Sequence, residues 1–380
     1  MGRSIIDSPD AVIAGGGVIG LACAWRCAAE GLDVAVVDDS GSRGASWAAA
    51  GMLAPVTELH YGEEELLALN LLSADRYPAF VSELEDQTEI DVGYRRTGTL
   101  IVARDADDYT ALVDLHAFQR KLGLEAERLS AADCRTLLPG VSPRTRGGIF
   151  VAGDHQVDNR ALLEALRRAC DRSGVHLLAD RVVGVENDGA RVVGVATERN
   201  GIVGATAVVI AAGSWTHQIQ FPAGVAPPIR PVKGQLLHLR GPQPVAAHNV
   251  RGLDVYLVPR ADGRLVVGAT MEEQGMDLRV TAEAVYLLLR DAYEILPGIL
   301  ELDLMEHAVG LRPATPDNAP AIGHSGIDGL LFATGHFRNG VLLAPITAEA
   351  IAAMITSDRV PDSVAAFSPQ RFSDMKERVR

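Results

Sequence analysis

Residues 11–38 read AVIAGGGVIGLACAWRCAAEGLDVAVVD, and the fold class follows from this stretch. A short apolar run, Ala11 to Ala14, leads into Gly15-Gly16-Gly17 and then a helical pattern from Val18 to Glu30 that stops at Gly31. A second apolar run from Asp33 closes on the acid Asp38. Strand, glycine turn, helix and strand make a βαβ unit. The spacing Gly15-x-Gly17-x-x-Gly20 has a physical reason. Gly15 permits the tight turn, Gly17 lets the backbone approach a pyrophosphate, and Gly20 allows the helix to pack closely on the strand. A pyrophosphate is then stabilised at the positive end of the helix. Asp38, 18 residues beyond Gly20, is placed to accept a ribose hydroxyl. The same residues also read as an ordinary tight βα turn, with Asp38 beginning a loop. The whole pattern predicts a dinucleotide site, and because NAD and FAD share the ADP half it leaves the choice between them open.

Working outward, Glu64 to Thr88, Asp105 to Leu122 and Ala161 to Ser173 carry helical patterns, and Thr99 to Ala103 reads as a strand. From His176 to Ala212 strands alternate with turns at Asn187-Asp188-Gly189 and Asn200-Gly201. The last of these, Ala207 to Gly213, is apolar throughout, as a strand buried on both faces would be. Proline-rich Pro222 to Pro231 reads as a domain crossing. Gln235 to Leu239, Val255 to Val258 and Leu265 to Gly268 suggest an antiparallel sheet, and Thr281 to Leu296 a helix. Leu330 to Thr334, Gly335 to Gly340 and Val341 to Met354 repeat the order strand, glycine turn, helix.

The 380 residues carry 35 Lys+Arg against 49 Asp+Glu, a net charge of −14, with 48% hydrophobic residues. At roughly 150 residues per domain, this is material for two or three domains with sizeable cores. Disorder and collagen-like classes are excluded. No basic stripe exists to neutralise a polyanion, so no nucleic-acid partner is expected. Only Lys121, Lys233 and Lys376 are lysines; the arginines suit bidentate capture of a carboxylate or phosphate. Cys23, Cys27, Cys134 and Cys170 are too few and scattered for a disulfide framework. Cys23 and Cys27 are expected to pack inside the first helix. No ligand-spaced histidine cluster occurs, and no metal site is expected. Asp7 and Asp10 interrupt any signal-peptide core, and Pro345 and Glu349 interrupt the most apolar late segment. A cytoplasmic protein without a membrane span is predicted.

The choice of dinucleotide comes from the other end of the chain. Gly335-His336-Phe337-Arg338-Asn339-Gly340, between an apolar strand and a helix expected from Val341, would aim backbone N–H groups at a second anionic centre. A reduced flavin, negative near N1 and the C2 carbonyl, suits it.

The N-terminal fingerprint occurs together with Trp47-Ala48-Ala49-Ala50-Gly51-Met52, Pro231-Val232-Lys233-Gly234-Gln235 and Tyr256-Leu257-Val258-Pro259-Arg260. Val267-Gly268-Ala269-Thr270-Met271, Gly310-Leu311-Arg312-Pro313 and the Gly335 to Gly340 loop follow in order. This combination closely resembles the glycine oxidases of thiamin biosynthesis, in the D-amino-acid oxidase superfamily of FAD enzymes, from about Ala11 to about Ile355. The resemblance implies an α/β fold in which a Rossmann-like FAD-binding domain (1–90, 152–224 and 306–380) carries an antiparallel-sheet substrate domain (91–151 and 225–305), an architecture of the D-amino-acid oxidase and glutathione-reductase kind. It further implies noncovalent FAD, oxidation of glycine and of small amines such as sarcosine or D-amino acids, oxygen as acceptor, a homotetramer, and a link to thiazole synthase.

Residue by residue, the resemblance makes Arg312 the clamp for the substrate carboxylate, with Tyr256 donating a hydroxyl hydrogen bond to it. On the residues alone, Arg312 reads first as a surface ion-pair partner and Tyr256 as a half-buried strand residue; the resemblance reverses that preference. Arg338 is implied at the flavin edge or the pocket mouth, and Met52 and Met271 beside the ring. Cofactor contacts are implied at Gly15, Gly17, Val18, Ile19, Gly20, Asp38, Ala48, Ala49, Gly51, Met52, Val182, Gly213, Trp215, Gly335, His336, Phe337, Arg338, Asn339, Gly340 and Leu342.

Departures from related flavoenzymes matter as well. No cysteine follows Cys170, which excludes flavin attachment through a late cysteine as in the sarcosine oxidases. No lysine lies in Gly252 to Thr270, where those relatives use one to promote reaction with oxygen. Gln235 and Asp38 stand where many relatives carry Glu. A flavin-dependent dehydrogenase of D-amino acids or N-methyl amines that passes electrons to another acceptor is the alternative reading.

Overall fold

The computed structural model describes residues 8–39 and 44–372. Lys376 lies outside the described residues. Numbering the strands of the two main sheets and the longer helices in chain order gives β1 (Ala11–Ala14), α1 (Val18–Ala29), β2 (Val34–Asp38), α2 (Glu64–Thr88), β3 (Thr99–Ala103) and α3 (Ala106–Lys121). Next come β4 (Glu127–Ser130), β5 (Gly147–Val151), α4 (Asn159–Arg172), β6 (His176–Ala179) and β7 (Ala207–Ile210). The long β8 (Arg230–Arg240) leads to β9 (Asn249–Arg251), β10 (Tyr256–Pro259), β11 (Arg264–Gly268) and α5 (Ala282–Ile295). The chain finishes with β12 (Asp303–Ala314), β13 (Ala321–His324), β14 (Leu330–Thr334) and α6 (Ala344–Ser357).

Six strands form a sheet in the order β13-β14-β7-β1-β2-β6. All its pairs are parallel except β13–β14. Its central strands are buried on both faces, which is why they read as unbroken apolar runs. Ile13, Val36 and Val209 face a core built with α1, α2, α4 and α6, while Val12, Ala14, Val208 and Ile210 face Val185 and Val195. Those two valines belong to a small antiparallel sheet (Val182–Asn187, Val192–Thr197, Gly201–Gly204). Cys23, Cys27 and Cys170 lie buried in the helical core, and burial pushes the Cys27 and Cys170 thiols up to about 12.

The second sheet has eight strands in the order β12-β8-β11-β10-β9-β3-β5-β4. It is antiparallel, as expected, apart from the parallel β9–β3 pair. β12, unmarked in the sequence reading, pairs along the whole of β8 with Val232 opposite Arg312 and Gly234 opposite Gly310. It is an edge strand, where Pro313 is tolerated because no further ladder needs its missing N–H.

The C-terminal helix begins at Ala344 rather than near Val341, with Pro345 in its first turn. The carbonyls of Val341 and Leu342, just before it, are engaged by another helix. Tyr77 Oη donates to the Val341 carbonyl at 3.1 Å and Ser73 Oγ to the Leu342 carbonyl at 2.6 Å, both from α2. Among the described residues no helix is long and apolar enough to cross a membrane, and no His/Cys/Asp/Glu group is arranged to hold a metal ion.

Candidate active site

β1 sits where the strand order of the parallel sheet reverses, with β2 on one side and β7 on the other. Ligands of open α/β sheets bind at such a switch point, beyond the carboxyl ends of the strands. Gly15 to Gly17 leave β1 there, and Ala211 to Gly213 leave β7. The turn is a cradle that side chains would fill. A Cβ on Gly15, whose φ is +114°, would lie 2.5 Å from the Ala211 carbonyl oxygen, and one on Gly16 2.8 Å from the Asp38 carboxyl carbon. The Gly16 N–H donates to Asp38 Oδ1 at 2.9 Å, and the Val18 N–H to Ser46 Oγ at 3.0 Å. Gly20 does not line the opening. Its Cβ would meet the Gly15 carbonyl oxygen at 1.9 Å, so its absence lets α1 close on the turn.

From this cradle a single cavity of about 1070 Å³ runs to the face of the eight-stranded sheet. Pockets for small ligands span about 300–1,000 Å³, so there is room for a dinucleotide with a small substrate beside it. Of the expected cofactor residues, the cavity is lined by Gly15, Gly17, Val18, Ile19, Asp38, Ala48, Ala49, Gly51, Met52, Val182, Gly213 and Trp215 at one end and middle, and by His336 to Gly340 and Leu342 beyond. Gly335 stands behind the lining with φ +76°, where a Cβ would press on Thr315. Gly51 also acts on its outer side. Its Cβ would meet the Val157 carbonyl oxygen at 2.0 Å, while buried Arg260 donates to the Ala50 carbonyl at 2.7 Å and to Gln156 Oε1 at 2.6 Å. These contacts hold the Ala48 to Met52 backbone against the cavity.

Arg312 and Tyr256 meet at the far end. Arg312 Nη1 donates to the Thr270 carbonyl at 3.0 Å, and its guanidinium lies close enough to the Tyr256 hydroxyl to act on it electrostatically. Burial pushes the Tyr256 pKa up, and the Arg312 charge opposes that shift. Two glycines make space for the pair: a Cβ on Gly234 would lie 2.4 Å from Arg312 Nη1, and one on Gly268 2.6 Å from the Tyr256 ring. Among the described residues no carboxylate forms an ion pair with Arg312, so its charge is unspent. Met52 is half-buried against Ala48 and Ala50, whereas Met271 is 64% exposed and is therefore not core.

Arg338 lines the cavity too, but its charge is already matched. Nη2 lies 2.8 Å from Glu63 Oε2 and Nε 3.8 Å from Glu58 Oε2, and Arg251 pairs with Glu58 from the other side. Glu58, Arg251 and the Thr270 carbonyl escaped the sequence reading. The first two carried no motif, and a backbone carbonyl has no residue signature. Buried His336 contacts Thr347 Oγ1 at 3.0 Å, and burial lowers its pKa to about 3, so it is neutral in the site. Lys233, fully buried, does not reach the cavity; it pairs with Glu272 and Asp277.

Comparison with known proteins agrees with this geometry. The family described as FAD dependent oxidoreductase, DAO, matches residues 10–354. The glycine oxidase of Pseudomonas aeruginosa is 33% identical, over 94% of this chain and 98% of its own. The bifunctional protein ThiO/ThiG of Synechocystis is 36% identical over 96% of this chain, which spans only 54% of that relative. The crystal structure of glycine oxidase from Geobacillus kaustophilus superposes with a TM-score of 0.90 at 32% identity, covering 96% of this chain and 98% of that one. With a family match over most of its length, a glycine cradle shaped for the ADP half and a cavity that accommodates a flavin, this chain belongs to the DAO family of FAD-dependent oxidoreductases.

Proposed function

We propose that the protein oxidises glycine, and less readily sarcosine or small D-amino acids, to the imine, which water hydrolyses to glyoxylate and ammonia. The observation that carries this reading is Arg312, which has no acidic partner among the described residues and lines the cavity beside Tyr256. A substrate carboxylate bound bidentately by Arg312, and hydrogen-bonded by Tyr256, presents its α-carbon toward the middle of the cavity. Bound FAD supplies the hydride acceptor, so no strong protein base is required of the pocket. Gly15, Gly17, Val18 and Ile19 would hold the pyrophosphate, and Asp38 the ribose. Val182 would meet the adenine, and Ala48, Ala49, Gly51, Gly213, Trp215, Leu342 and the loop Gly335 to Gly340 the remainder. Met52 and Met271 would flank the ring, with Arg338 at the mouth.

Oxygen reduced to hydrogen peroxide is the proposed second half of the cycle, and assembly of the thiamin thiazole the proposed use of the imine. The fusion of a matching region to a second part in the Synechocystis relative supports a thiazole-synthase partner. The segments 1–90, 152–224 and 306–380 are proposed as the FAD domain, and 91–151 with 225–305 as the substrate domain; β12 bridges them. A homotetramer in the cytoplasm is proposed on resemblance.

A second reading, a dehydrogenase serving another acceptor, is favoured by one feature: no lysine among the described residues lines the cavity. Aerobic turnover of glycine with peroxide counted against glyoxylate separates the two. One peroxide per glyoxylate is expected, and glyoxylate formed only with an added artificial acceptor would overturn oxidase chemistry.

A further inference from the structure

We propose that Lys233 is a positioning residue for the substrate-carboxylate site: it locks the strap 269–281 so that Arg312 is held for an incoming carboxylate and Glu272 is kept away from it. The inference rests on the reading of Arg312 as the clamp. Side chains alternate along β8, so Gly234 faces Arg312 while Lys233 and Gln235 face the other way. Both of these buried residues grip the strap. Lys233 is 0% exposed, with Nζ 3.4 Å from Asp277 Oδ2 and 3.7 Å from Glu272 Oε2. Gln235 Nε2 donates to Glu272 Oε1 at 2.8 Å and to Thr281 Oγ1 at 3.1 Å, and its Oε1 accepts the Thr281 N–H at 3.1 Å. The backbone is paired as well, Lys233 N–H to the Glu272 carbonyl at 2.9 Å and Thr270 N–H to the Gln235 carbonyl at 3.2 Å. The strap then delivers the Thr270 carbonyl to Arg312 at 3.0 Å and Met271 to the cavity.

Charge gives the lock its second role. Glu272 lines the same cavity as Arg312 and is two residues from the carbonyl that Arg312 binds. Thr270 Oγ1, Gln235 and Lys233 together hold its carboxylate on the outer side. Without the lysine, Asp277 keeps its pair with Arg279, but Glu272 loses the cation beside it and becomes a rival for Arg312, which no carboxylate among the described residues pairs. Both acids keep some solvent contact, with side chains 22% and 19% exposed, so they can hydrate when the lysine is lost.

The test uses the FAD-loaded protein and the variants Lys233→Met, Lys233→Arg, Asp277→Asn and Arg312→Ala. Two quantities are read: glycine turnover, and the flavin absorbance change on titration with glycolate, a small carboxylate without an amine. Lys233→Met is expected to raise the KM for glycine and the glycolate dissociation constant together by about tenfold, with kcat changed less than about threefold. Lys233→Arg restores most of the affinity. Removing the rival carboxylate, in Lys233→Met combined with Glu272→Gln, also recovers binding. If Lys233→Met does not fold, Asp277→Asn is expected to give the same split more weakly. Equal losses of kcat, flavin content and thermal midpoint, with no selective change in glycolate binding, would overturn the proposal. Unchanged glycolate binding in Arg312→Ala would instead overturn the clamp reading beneath it.

Discussion

At Gly234 a Cβ would lie within 2.4–2.6 Å of three guanidinium atoms of Arg312. The glycine is there for that side chain rather than for a turn. Gly234→Ala is expected to push Arg312 off the Thr270 carbonyl, losing a charge-assisted hydrogen bond of about 1.5–3 kcal/mol and raising the KM for glycine roughly ten- to hundredfold. Flavin content is expected to stay as in the wild type, because the three nearest atoms to a Cβ on Gly234 all belong to Arg312. Steady-state kinetics with flavin quantitation checks both, and an unchanged KM would show that Arg312 is not held as described. The motif containing Gly234 was legible in the sequence, but the reason for it was not. That reason is a neighbour 78 positions away on an adjacent strand, placed by register alone.

Among the elements, the turn between β14 and α6 is held by α2 through Ser73 and Tyr77 and by buried His336. Burial lowers the His336 pKa from its ordinary 6.5 to about 3. The unfolded chain therefore takes up a proton below about pH 6.5 that the folded protein refuses, and stability falls as pH drops from there toward 3. The slope for one such group is up to about 1.4 kcal/mol per pH unit. Thermal melting from pH 6.5 to 4.5 is expected to lose less midpoint in His336→Gln than in the wild type; parallel curves would place the proton uptake elsewhere. β14, which leads into this turn, was readable as an apolar run. β12 was not, because Glu306, His307, Arg312 and Pro313 interrupt its alternation. It forms because β8 offers a whole ladder, a long-range pairing that local pattern does not encode.

Over the whole molecule, a net charge of −14 surrounds a pocket that needs one local cation to take an anion. At the Tyr256 end, Arg251 and Arg338 are matched by Glu58 and Glu63, whereas no carboxylate among the described residues pairs with Arg312. The nucleotide cradle was legible because it sits in one compact motif, and Arg312 and Tyr256 were singled out through the resemblance rather than from their own spacing. The acid–arginine pairing around Glu58 and the strap held by Lys233 were not, since they arise where distant segments converge. The most direct test of the account is anaerobic mixing of the yellow protein with increasing glycine while the flavin absorbance is followed. Wild-type protein is expected to bleach fully, and Arg312→Ala to keep its flavin but need about a hundredfold more glycine for the same bleaching. Absence of bleaching by glycine in the wild type, or the same glycine dependence in both proteins, would contradict it.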